Sequence, residues 1–179
     1  MPSLSITLVT NQDGPLLTWP ADNSRRRTYV IAMESVQSRI RSIQEAEKGR
    51  SPGAVGSITR YIGDPHPRVR REAAIALGKM KDPEGIASLT LALSDSDRDV
   101  REAALAGIQR TGARSAEPAV IKLLGDKDPG IRIGALSVLS GIGTVRSVDA
   151  IAGMADDPFS DVREAAERAL TVIRKRTGS

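Results

Sequence analysis

Four registers of this chain recur at one step of thirty-one residues, with no insertion or deletion between copies. A β-branched residue and an arginine stand together at Val69-Arg70, Val100-Arg101, Ile131-Arg132 and Val162-Arg163. An aspartate lies six residues ahead of each arginine, at Asp64, Asp95, Asp126 and Asp157. An alanine keeps the step at Ala73, Ala104, Ala135 and Ala166, and a large apolar residue keeps it at Leu77, Ile108, Leu139 and Leu170. A fixed period of this size is the mark of stacked supersecondary units, none of which can bury its apolar face alone. The period constrains the architecture closely and says nothing about a partner.

Each period resolves into two helices. In the second copy Ile86, Leu89, Ala92 and Leu93 fall at helical spacing, a Ser-Asp-Ser-Asp stretch interrupts at 94–97, and Val100, Ala104, Gly107 and Ile108 begin a second apolar stripe. Asp-Pro recurs at 64–65, 82–83, 128–129 and 157–158. There a short acidic side chain caps free amides and proline suits the first helical turn. Gly112 and Gly143 follow second helices, where a left-handed residue is expected. The predicted pairs are 53–62 with 66–80, 83–94 with 97–111, 115–125 with 128–142, and 145–156 with 159–175. Pairing this regular gives an array in which each unit touches only its neighbours.

The first fifty residues fall outside the period. Val36, Ile40 and Ile43 predict a helix over 30–48, within a capping segment 28–50 that closes the first repeat. Residues 5–19 read as two short β-prone runs around Asn-Gln-Asp-Gly, a β-hairpin within an extension covering 1–27. The array itself takes 51–179. A lone hairpin is marginal in water, so it must dock on something.

Composition narrows the chemistry. Aromatic residues make up 2% of the 179, namely Trp19, Tyr29, Tyr61 and Phe159, so the core must be aliphatic and closely packed through alanine. Cysteine is absent, which removes disulfides and thiolate catalysis. No apolar run approaches the roughly 18 residues needed to cross a bilayer. The N-terminus lacks a basic region followed by an apolar stretch, so the expected location is cytoplasmic. The net charge of +4 is uneven: residues 1–81 hold 13 Lys and Arg against 7 Asp and Glu, leaving the rest mildly acidic. Such an excess attracts acidic proteins or nucleic acid.

The segments DPHPRVRREAAIALGKMKDPEG, DSDRDVREAALAGIQRTG, DKDPGIRIGALSVLSGIG and DDPFSDVREAAERAL resemble HEAT repeats, and look most like the short type named for phycobilisome lyases. The resemblance implies an all-α fold, a right-handed α-solenoid of about four helical hairpins. It also implies that the periodic Asp and Arg residues form a structural ladder along the stack, with Asp64/Arg70, Asp95/Arg101, Asp126/Arg132 and Asp157/Arg163 at the matching positions. A row of arginines meant for polyanions would not bring an aspartate with every member. The second helices are implied to line the concave side. A helical wheel then puts Arg71 and Ile75, Glu102 and Gln109, Ile133 and Ser137, and Glu164 and Arg168 outward along the groove, with Gly78 in the same stripe.

Catalytic constellations are poor. His66 is the single histidine and sits between two prolines, with no second histidine for a metal and no cysteine to activate. The iron-binding hydroxylases of the HEAT-like kind use repeated His-Glu pairs, which this sequence lacks. The acidic run Asp95-Ser96-Asp97-Arg98-Asp99 has neither the glycine nor the terminal glutamate of a calcium loop. No metal and no cofactor are expected. Arg25, Arg26 and Arg27 with Arg39 and Arg41 make the densest basic patch, a candidate for an acidic partner; the basic residues at 174–176 suit the dipole of their own helix C-terminus. The leading expectation is a non-enzymatic interaction scaffold or adaptor, a subunit of a larger assembly, that binds a protein through the concave helices and the N-terminal extension. Two alternatives stand beside it. One is a bilin lyase subunit or phycobiliprotein-handling chaperone, implied by the repeat type. The other is a nucleic-acid binder using the basic half, disfavoured because the groove offers no aromatic residues to stack bases.

Overall fold

The structure, a computed structural model, describes residues 35–178, which form nine α-helices and no strand. A single helix α1 (Val36–Gly49) leads four hairpins: α2 (Ala54–Thr59) with α3 (Pro67–Met80), α4 (Ile86–Ala92) with α5 (Arg98–Thr111), α6 (Glu117–Lys122) with α7 (Pro129–Ile142), and α8 (Val145–Ala152) with α9 (Ser160–Thr177). The expected hairpin over 5–19 and the basic residues Arg25, Arg26 and Arg27 lie outside the described residues. The pairs fall where the apolar spacing places them. The first helices are shorter than predicted because their ends tighten into 3₁₀ turns, at Arg60–Gly63, Pro83–Gly85, Leu123–Gly125 and Gly153–Asp156 among others.

The second helices start at one period from each other, and α1 obeys the same step: Val36–Gly49 is Pro67–Met80 moved back by thirty-one residues. The capping helix is thus a half-repeat in register with the array. Its Ile43 is fully buried and Val36 nearly so, and it packs on α2 and α3.

Side-chain oxygens or nitrogens cap the second helices at one register. Asp97 accepts from the amides of Asp99 and Val100, Asp128 from those of Gly130 and Ile131, and His66 Nδ1 from that of Arg68. The lone histidine is therefore an N-cap. The fourth copy holds Phe159, which makes no cap bond and lies instead against Arg132, whose guanidinium carbon is 5.5 Å from the ring centroid. Asp97 and Asp95 are both spent on backbone amides and an arginine, so the acidic run 95–99 is helix-start chemistry.

Alanine lets the layers approach. Ala73, Ala104 and Ala135 are completely buried, with Leu77, Ile108 and Leu139 beside them. The second helices α3, α5, α7 and α9 pack directly on one another, whereas the first helices mainly touch their own partners, so the second helices form the inner, tighter layer. One close approach is glycine on glycine: a Cβ at Gly78 would come within 2.6 Å of the Gly107 Cα. This corrects the outward placement of Gly78. On a wheel it faces away from its own hairpin, but that direction is occupied by the next second helix.

Helix C-termini depart from expectation at one point. Gly112 has φ 64°, the left-handed cap foreseen, and Lys81 holds the same register at φ 55°. Gly143 instead is extended, with φ −60° and ψ 149°. It is small for space, since a Cβ there would lie 2.5 Å from the Leu139 carbonyl and 2.7 Å from Ser147 Oγ. Arg176 of α9 fills the capping role, donating to the carbonyls of Ser140, Gly141 and Gly143. The basic C-terminal run therefore serves α7 as well as its own helix.

Candidate functional site

Every periodic arginine sits on the first turn of a second helix, where its side chain reaches back over the inter-helical turn. Arg70, Arg101, Arg132 and Arg163 each donate through Nη1 to the backbone carbonyl of the aspartate six residues ahead, at 2.8 to 3.0 Å. The carboxylate of that aspartate goes elsewhere. Arg70 and Arg132 each donate through Nε and Nη2 to both carboxylate oxygens of Asp95 and Asp157, in two-pronged pairs with Nε at 2.6 and 2.8 Å. Arg101 donates to Asp126 through Nη2 at 3.0 Å, with Nε in ion-pair contact at 2.8 Å. Pairing is thus offset by one repeat from the sequence pairing: Arg70, Arg101 and Arg132 each bind their own turn through backbone oxygen and the next turn through the carboxylate, while Arg163 binds its own turn alone.

Each aspartate is also held by its own turn. Its Oδ1 accepts from the amide two residues on, at 2.9 Å for His66, Asp97 and Asp128 and 3.0 Å for Phe159. Charge-assisted bonds of this two-pronged kind are the strong ones. The hydrogen bond to Asp95 raises the pKa of Arg70 against the effect of burial. Burial pushes the Asp95 carboxyl up, but the bonds from Arg70 and the Asp97 amide outweigh it and the pKa falls below the ordinary value. The hydrogen bond from Arg132 likewise holds Asp157 low.

Arg39 belongs to this ladder. It sits one period ahead of Arg70, on α1, and its Nε is 2.8 Å from Asp64. A cation expected in a basic patch is thereby spent on the first turn of the array. Arg41 is exposed with no ion pair among the described residues. The sequence signal for Arg39 was available: the same step of thirty-one residues continues one more time toward the N-terminus.

The stripe predicted on the second helices divides into free and occupied positions. Arg71, Glu102, Gln109, Ser137, Glu164 and Arg168 are exposed, while Ile75 and Ile133 are half-buried and rest on the core. Glu102 is held by Arg98 at 2.8 Å, and the same arginine reaches Asp128 of the following repeat at 3.1 Å. Gln109 donates to Ser137 at 3.3 Å, and Glu164 faces Arg168 at 3.4 Å. Arg68, Arg71 and Arg110 have no acidic partner among the described residues. The inner face is therefore cationic at its α3 end, self-neutralised around α5, and small and weakly apolar along α7. Arg98 was not foreseen in this stripe, although its spacing of four from Glu102 is a known helical ion-pair signal.

These features define a class first: an α-solenoid of helical hairpins whose inner layer is lined by its second helices. A family model described as HEAT repeats matches residues 29–105 and 86–171. The chain belongs to the HEAT-repeat family. Among curated proteins, none matches the sequence. Several solved structures share the fold. One is the complex of CpcE and CpcF of phycocyanin lyase from Nostoc sp. PCC7120, 24% identical, with a TM-score of 0.63 over 96% of this chain and 70% of that one. An engineered protein aligns at 17% identity and TM-score 0.57, covering 84% of this chain and 83% of its own. A designed armadillo repeat protein aligns at 18% identity and TM-score 0.51, covering 77% and 74%. Among the described residues no helix is long and apolar enough to cross a membrane, and no three His, Asp or Glu side chains group as metal ligands.

Proposed function

We propose that this protein is an interaction scaffold that holds a partner protein along the inner helices α3, α5, α7 and α9. The observation that carries this reading is the division of labour among its polar residues. The periodic Arg and Asp groups other than Arg163 are consumed in joining repeats, whereas Arg68 and Arg71 present donors with no acidic partner among the described residues and the Gln109–Ser137 pair lies exposed on the inner helices. Neighbouring half-buried Ile75 and Ile133 supply apolar area between them, the mixture of central contact and polar surround found at protein interfaces. Arg68 and Arg71 receive an acidic stretch of the partner, and the small residues of α7 admit its backbone closely. The chain acts here by positioning its partner and contributes no catalytic group.

Site-specific photo-crosslinkers test this. Placed at Ile75 and Ser137 in the full chain, they yield a common adduct from native lysate, while one at Leu91, exposed on the first-helix side, does not. Adducts at Leu91 alone contradict the reading.

A second reading rests on the likeness to the phycocyanin lyase complex: a subunit that, with another chain, handles a bilin or its acceptor protein. Adding bilin to the purified protein, alone and with candidate acceptors, shifts the visible spectrum if it holds. An unchanged spectrum in every mixture removes it.

A further inference from the structure

The ladder has five arginines and four aspartates among the described residues: Arg39, Arg70, Arg101, Arg132 and Arg163 against Asp64, Asp95, Asp126 and Asp157. At the α1 end the count closes, because Arg39 takes Asp64. At the α9 end Arg163 is left over. Its Nη1 is fixed by the carbonyls of Asp157 and Pro158, at 2.8 and 3.3 Å, as its counterparts are fixed by theirs. Its Nε and Nη2 edge, which in the other repeats receives a carboxylate, has no acceptor among the described residues.

Two further departures from the period lie on the same end face. The register buried as Ala74, Leu105 and Leu136 becomes Glu167, exposed and without an ion pair among the described residues. The register buried as Ile62, Leu93 and Leu124 becomes Ala155, also exposed. The shorter side chain leaves a shallow hollow of about 450 Å³ whose lining includes Ile151, Leu170, Arg163 and Glu167.

We propose that this face docks on a second copy of the chain, two-fold related, with Arg163 of each copy received by Glu167 of the other. Three observations select this occupant. A head-to-tail stack is closed, because the first aspartate of a second copy is already bound to its own Arg39. A further repeat of the internal kind would put a buried helix against Glu167, whose carboxylate has no cation to meet there. A second copy in the antiparallel sense supplies that cation, since Arg163 and Glu167 lie one turn apart on a single helix face. An isologous contact requires such a self-complementary patch. The same crossing brings Leu170 over Ser160 and the hollow of the second copy, and sets the two helix dipoles opposed.

The pairing is independent of whatever the inner helices hold. It is tested by sedimentation velocity on the full chain from about 1 to 100 μM, a range that brackets moderate affinities. The wild-type chain shifts from monomer to dimer with concentration, and salt weakens the shift. R163E and E167R each raise the dissociation constant at least tenfold, and the R163E/E167R chain regains the dimer. Position 167 is exposed, so E167R retains the wild-type far-UV circular dichroism and keeps the test independent of folding. A wild-type chain that stays monomeric throughout overturns the proposal, and so does a dimer indifferent to E167R.

Discussion

Replacing Arg101 by methionine removes a guanidinium that is 5% exposed and makes four polar contacts: two carbonyls of its own turn, at 3.0 and 3.1 Å, and both oxygens of Asp126, at 3.0 and 2.8 Å. Methionine keeps much of the stem's packing, so the loss is mainly polar. Asp126 is left with one hydrogen bond, from the Asp128 amide at 2.9 Å, and with its side chain 8% exposed. Leaving a buried carboxylate without its cation costs about 3–5 kcal/mol, against the ~0–1 kcal/mol of a surface pair. In the monomer Arg163 is an internal control at the same register: exposed, bound to two carbonyls, and without a carboxylate from its own chain. Arg163→Met should cost only about 1 kcal/mol. The two variants therefore differ by about 2–4 kcal/mol, on the order of 10 °C in Tm for a chain of this size. Urea and thermal unfolding followed by far-UV circular dichroism measure the difference. Equal losses in the two variants would refute the reasoning, because they would mean that the carboxylate of the next repeat contributes nothing.

Gly78→Ala should destabilise by about 1–3 kcal/mol, because its methyl meets the Gly107 backbone rather than a side chain that could move. Gly141→Ala, where nothing lies within 4 Å, should be neutral or stabilising by up to about 1 kcal/mol in the same melts. The folded-state carboxyls of Asp95 and Asp157 titrate below their unfolded values, so their stabilisation is complete above about pH 4 and disappears as pH falls through the lower folded values. Urea midpoints should accordingly stay level from pH 8 to about pH 5 and drop below about pH 4; a drop centred near pH 6 would point to a different titrating group. Arg176→Ala should speed amide exchange at the C-terminal turn of α7 while leaving α3 unchanged, as its guanidinium holds the last carbonyls of α7 alone.

The hairpins were legible in the sequence because one interface is built repeatedly. Selection for the same neighbour at every step imprints the same residue at the same register, and even the capping helix carries it at Arg39. The destination of each guanidinium was not legible. Six residues separate Arg101 from Asp95 and twenty-five separate it from Asp126, so spacing alone favours the nearer carboxylate, yet the extended turn offers the nearer residue's carbonyl and turns its side chain toward the preceding repeat. Gly78 and Gly143 were misplaced for a related reason. A wheel knows one helix, whereas the crossing of α3 on α5 and the reach of Arg176 from α9 belong to pairs of helices. Six of the eight stripe residues, from Arg71 to Arg168, are exposed as the wheel places them, and Ile75 and Ile133 are half-buried, because solvent-facing positions depend least on what a neighbouring helix does. Which of them already hold one another, as Arg98 holds Glu102 and Asp128, required the folded positions.

The central claim is that Arg70, Arg101 and Arg132 each join their own repeat to the next through the next repeat's carboxylate. A pair of double-mutant cycles tests it most directly, one coupling Arg101→Met with Asp126→Asn and the other coupling Arg101→Met with Asp95→Asn. The account predicts an interaction energy of about 2 kcal/mol or more between Arg101 and Asp126 and a clearly smaller one between Arg101 and the Asp95 side chain, whose carboxylate belongs to Arg70 and feels the Arg101 charge only weakly. A larger coupling to Asp95 than to Asp126 would contradict it.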